Sequence, residues 1–175
     1  MKNNYVWAKT LLMVYRYLER IAGAIDKIVM QSALNCSNIS GQNYFYNNVM
    51  SISQKIIDLS ERKVTLINLK ILIEECLKEI PQKDAIILIE KFFDGVKTKN
   101  LVERHHISMR TVFRKIEAAV NAFSSKLMSK GYSDLKIDKM LENEGWIRNV
   151  YVRLSKAEVE DFCLSKTYLA KAVSM

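Results

Sequence analysis

One proline in 175 residues leaves almost nothing to interrupt a long helix. Cysteine is also scarce: Cys36, Cys76 and Cys163 lie far apart in non-repeating contexts, which points away from a disulfide framework or a metal knuckle and toward reduced thiols in the cytoplasm. No apolar run is long enough to cross a bilayer, because the most apolar stretch, Leu11-Leu12-Met13-Val14-Tyr15, is closed by Lys9 and Arg16. No membrane partner is expected. A glycine-rich phosphate loop, a nucleophile elbow and a histidine-metal helix are all missing, so the chain reads as non-enzymatic, with no cofactor and no metal. Glu74-Glu75 and Glu142-Asn143-Glu144 have no partner acid and read as solvated faces. Acidic residues are themselves in deficit, 19 against 27 Lys and Arg, and the net charge of +8 suits an acidic polymer as partner.

What the chain does have is apolar periodicity, within a hydrophobic content of 49% that suffices for one domain or two small ones. From Tyr5 to Met30, Trp7, Leu11, Val14, Leu18, Ile21, Ile25 and Ile28 alternate steps of four and three, the spacing of a helical seam. Val49, Ile52, Ile56 and Leu59 resume it, and Leu66, Leu69, Ile73 and Leu77 continue it to Ile80, with a break expected near Lys63-Val64-Thr65. Asn35 to Asn48, rich in Asn, Ser and Gly, reads as a connection whose Tyr44-Phe45-Tyr46 cluster folds back or meets a partner. Residues 1–76 are therefore expected to form a long antiparallel helical hairpin that buries its seams internally or against a second copy, giving a homodimer.

After Ile80 the punctuation sharpens. Pro81 starts a helix that Gly95 is suited to stop. A short helix from Thr98 to about Arg104, the link His105-His106-Ile107 and a helix from Met109 capped by Ser108 together read as helix, turn, helix. Leu101 and Val102 should pack against Ile107, Val112 and Ile116, leaving Arg110, Thr111, Arg114 and Lys115 outward. Arg110 and Arg114, four apart on one face, suit guanine edges in a major groove, and Thr111 suits a phosphate or a thymine methyl. Lys97, Lys99, Lys126 and Lys130 add sequence-independent attraction to phosphate. His105 and His106 read as exposed turn residues, one of them near a phosphate.

The stretch Leu77–Leu127 resembles the region-four domain of sigma factors, in its Ile-Pro start, its Phe-Phe-Asp-Gly stop and its Ile-Ser-Met-Arg-Thr-Val turn into the second helix. The resemblance implies binding of an upstream promoter element, with Arg110, Thr111, Arg114 and Lys115 at the positions that approach bases and phosphates. Two departures stand out: His105-His106 replaces a small residue or glycine, and no segment before Leu77 looks like the sigma domain that melts promoters. A complete sigma factor is therefore not expected. A helical N-terminal region ahead of such a unit also resembles the ArpU-like regulators of phage late transcription.

The remainder, residues 132–175, reads as a helical appendage to the DNA-binding domain at 77–131. Ser133 should cap a short helix through Met140 and Leu141 that ends near Gly145. Trp146 to Leu154 suits a short strand, an extended arm or a helix equally. Ser155 and Glu158 form a capping-box pattern before a last helix with Val159, Phe162, Leu169 and Val173. The expected fold is thus all-α. The expected function is a sequence-specific, double-stranded DNA-binding transcription regulator in contact with RNA polymerase. Its expected DNA-binding residues are Lys97, Lys99, Ser108, Arg110, Thr111, Arg114 and Lys115. The alternative is a polymerase- or sigma-binding protein without DNA specificity of its own, whose basic helix meets an acidic protein surface while the hairpin supplies the apolar contact.

Overall fold

A computed structural model describes the backbone at residues 2–37 and 42–157 and the side chains at 4–34 and 49–157. All its described elements are helical: α1 (Lys2–Ser37), α2 (Gln42–Lys78), α3 (Gln82–Leu88), a π-helical turn (Ile89–Phe93), α4 (Thr98–His105), α5 (Met109–Ser129), α6 (Asp134–Met140) and α7 (145–157). None of the described helices is long and apolar enough to cross a membrane. The expected last helix, with Glu158, Val159, Phe162, Leu169 and Val173, lies outside the described residues, as does Cys163.

Several local expectations give way to longer helices. Much of Asn35–Asn48, expected as a connection, is helical, since α1 runs to Ser37 and α2 starts at Gln42. Once a helix exists, each added residue gains a hydrogen bond, and Asn or Ser opposes this by only a few tenths of a kcal/mol, roughly. The Tyr44-Phe45-Tyr46 backbone is thus part of α2, and those side chains lie outside the described set. No break occurs at Lys63-Val64-Thr65. There the Thr65 hydroxyl donates to the Glu61 carbonyl at 3.1 Å, a bond made within the helix that leaves the ladder intact. Of the three forms expected for Trp146–Leu154 the helix is the one taken, and Ser155 sits inside α7, not at the start of a new helix.

Contacts group the chain into two compact units, Tyr15–Glu75 and Met1–Val14 together with Cys76–Met175. In the first, three polar pairs join α1 and α2. Tyr15 donates to Glu74 at 2.7 Å, Lys70 donates to Glu19 at 2.8 Å, and Lys63 to Asp26 at 2.6 Å. Each step forward along α1 is matched by an equal step back along α2, so the two segments run in opposite directions. Leu18, Ile25, Leu66, Leu69 and Ile73 are buried between these pairs, as their seam spacing requires.

In the second unit α3 and α4 pack on α5, whose Val112, Ala119, Val120, Phe123 and Leu127 are buried. The start of α1 contributes Val6, Trp7, Leu11 and Val14 to this unit's core, and Trp7 stacks on Tyr151 of α7 with ring centroids 4.1 Å apart. Buried Thr10 satisfies its hydroxyl on the Val6 carbonyl at 2.7 Å. Pro81 precedes α3 as its cap, with φ −53° and ψ 134°. The helix does not continue regularly to Gly95. After Leu88 it widens into a π turn, in which the Asp94 N–H reaches back to the Ile89 carbonyl, and Gly95 ends it at φ +68°. Ser133 precedes α6 with an extended backbone, but its side chain makes no capping bond. Glu144, expected on a solvated face, is buried: its carboxylate accepts from Trp146 Nε1 at 2.9 Å, and its carbonyl takes the first amide bonds of α7. Tyr15 likewise gives Glu74 a partner rather than solvent alone.

Candidate nucleic-acid interface

The unit from α4 to α5 is shaped by how each helix ends. Lys97 is extended at φ −64° and ψ 141°, and its carbonyl accepts the Asn100 and Leu101 amides that open α4. At the other end His106 adopts the left-handed conformation, φ 49° and ψ 43°. Its amide and that of Ile107 both turn to the Val102 carbonyl, closing α4 in the manner of a glycine stop without a glycine. Ser108 returns the chain to extended geometry, and α5 begins at Met109.

Ser108 and Thr111 serve each other. The Ser108 hydroxyl oxygen accepts the Thr111 amide at 3.2 Å and shares a hydrogen bond with the Thr111 hydroxyl at 2.8 Å. This satisfies one of the free amides at a helix start. It also occupies the Thr111 hydroxyl in the cap. Leu101 and Val112 are fully buried, whereas Val102, Ile107 and Ile116 are half-buried, so the apolar side of the turn faces inward.

The outward side is basic. Arg110, Arg114 and Lys115 are exposed on the first turns of α5, and Lys97 and Lys99 are exposed at the start of α4. None of the five takes part in an ion pair among the described residues. Two other lysines of this unit are already matched. Lys126 and Lys130 lie 3.8 and 2.7 Å from Glu79, so the phosphate attraction expected of them is partly satisfied within the chain. The hydrogen bond from Lys130 holds the Glu79 carboxyl below its ordinary range.

His105 is not a free turn residue. Its Nε2 lies 2.6 Å from Glu90 Oε2, and Arg104 sits 3.5 Å from the other oxygen of Glu90. Together with Lys91, which donates to the Thr98 hydroxyl at 2.9 Å, these contacts tie both ends of α4 to the π turn. No cluster of three His, Cys, Asp or Glu able to hold a metal ion is present among the described residues.

Phe113, 58% exposed, joins this face although the spacing of the basic residues alone does not mark it. At 100° per residue it shares a face with Arg110, Arg114 and Glu117. The signal was in the sequence: Val112, Ile116, Ala119, Phe123 and Leu127 complete the core stripe of α5, and Phe113 falls outside it. Arg110, Phe113 and Arg114 thus present two guanidinium groups around an aromatic ring on one face. Such a face can make forked hydrogen bonds and flat apolar contacts. Compared with family models, curated proteins and solved structures, the chain matches none.

Proposed function

We propose that this protein is a sequence-specific DNA-binding transcription regulator, in which α4 and α5 act as a helix-turn-helix and α5 enters the major groove. The observation that carries the reading is the start of α5. A capped, fixed helix end presents Arg110, Arg114 and Lys115 outward, with no acidic partner among the described residues, on a chain of net charge +8. Arg110 and Arg114 read base edges, with Phe113 beside them. Ser108 and Thr111 hold the helix end, and Lys97, Lys99 and Lys115 attract phosphates. Two copies joined through the long helices would present one reading helix to each half of a symmetric site, in contact with RNA polymerase.

Titration of labelled duplexes at several salt concentrations tests this division of labour. Lys97→Ala with Lys99→Ala should weaken every duplex about equally and lower the salt slope by roughly 2. Arg110→Ala with Arg114→Ala should remove sequence preference. The competing reading, a basic helix docked on an acidic protein surface, gains support if duplex affinity is negligible at physiological salt and polymerase subunits are retained instead.

A further inference from the structure

An apolar ring stands among the exposed guanidinium groups of α5. Phe113 is 58% exposed, three residues after Arg110 and one before Arg114, and neither arginine makes an ion pair among the described residues. The buried stripe of α5 is filled without it, by Val112, Ala119, Val120, Phe123 and Leu127. None of the ring-stacking or cation–π contacts among the described residues involves Phe113, so neither arginine uses the ring as a platform. Glu117, exposed one turn further on, confines the cationic part of this face to the first turns of α5.

A phenyl group has neither donor nor acceptor. In the major groove the base edges offer hydrogen-bonding groups and one apolar feature, the C5-methyl group of thymine. We propose that Phe113 is a specificity-determining residue, contacting the methyl group of a thymine beside the guanines that Arg110 and Arg114 read. The inference rests on the DNA reading proposed above and adds to it the base that an uncharged side chain selects. Cytosine at that place would set its N4 amino group against the ring and strand a donor. Helical rise puts Phe113 about 1.5 Å along the axis from Arg114 and about 4.5 Å from Arg110, on the order of one base-pair step. Thr111, the other side chain suited to a thymine methyl, is half-buried, has its hydroxyl engaged with Ser108 at 2.8 Å, and lies on roughly the opposite side of the helix from Phe113.

Exchange of thymine for uracil tests the contact on the unaltered protein, because it removes the methyl group and leaves base pairing and every hydrogen-bonding edge in place. In the duplex that the full chain selects from a random pool, each thymine is replaced singly and the dissociation constant measured at one salt concentration. Replacement of a thymine next to a guanine should weaken binding about fourfold, the worth of one buried methyl group, and replacements elsewhere should have no effect. Phe113→Ala should bind the thymine and uracil forms of that duplex alike, with far-UV ellipticity unchanged and the guanine preference retained. A selected motif without such a thymine, equal affinity for every uracil duplex, or a methyl effect undiminished in Phe113→Ala would overturn the contact. If uracil is tolerated everywhere while Arg110→Ala with Arg114→Ala still abolishes the motif, the methyl contact falls and base reading stands. If the unaltered protein enriches no motif, both fall.

Discussion

Ser108 and Thr111 close the start of α5 on one another, with hydroxyl oxygens 2.8 Å apart and the Thr111 amide directed to Ser108 at 3.2 Å. Everything proposed for this face depends on a helix that starts at one fixed residue, and this pair fixes it. Ser108→Ala should cost about 1 kcal/mol, and Ser108→Gly only a few tenths, approximately. In a chain of this size the alanine loss should lower the unfolding midpoint by about 2–4 °C, which calorimetry can follow.

His106 holds a left-handed backbone without being glycine. A side chain in that region costs about 1 kcal/mol relative to glycine. His106→Gly should therefore raise stability by about that amount in urea titrations, with duplex affinity essentially retained. A loss of stability would mean that the imidazole makes a contribution larger than the backbone strain.

Gly23 lies within α1, and a Cβ built there meets nothing within 4 Å. Gly23→Ala should stabilise the Tyr15–Glu75 unit by about 1 kcal/mol, through helix propensity alone. Denaturant unfolding followed by ellipticity checks the sign.

Tyr15 supplies a pH test of the α1–α2 pairing. Burial first, and then its hydrogen bond to Glu74, push its phenol up to about 12. The folded chain therefore keeps this proton more tightly than the unfolded chain. The stability that follows is intact below about pH 10 and drains as pH rises toward about 12. In ultraviolet titration Tyr15 should ionise late, and Tyr15→Phe should remove that late step.

The sequence was legible where a residue acts through its own backbone. Gly95 stops its helix at φ +68°, Ser108 opens α5, and the apolar spacing marks Leu11, Leu18, Leu66 and Ile73 as core. It was less legible where neighbours distant in the chain decide the outcome. His105 has an ordinary turn context, and only folding brings Glu90 to 2.6 Å from it. Glu144 is a local case: its side chain is buried and accepts from Trp146 two residues on, which the acidic run Glu142-Asn143-Glu144 does not announce. Trp146–Leu154 has strand-like composition, yet Tyr151 gains a stacking partner in Trp7 and Ile147 is fully buried with the segment helical. The π turn leaves no mark in composition, because it is defined by a backbone bond, Asp94 N–H to the Ile89 carbonyl, and not by residue type.

Selection of preferred duplexes from a random pool by the full chain, repeated with Arg110→Ala and Arg114→Ala together, addresses the central claim most directly. Base reading by α5 requires an enriched motif that disappears in the double variant while ellipticity and molar mass are unchanged. No enrichment by the unaltered protein, or the same motif enriched by both, would contradict base reading by α5.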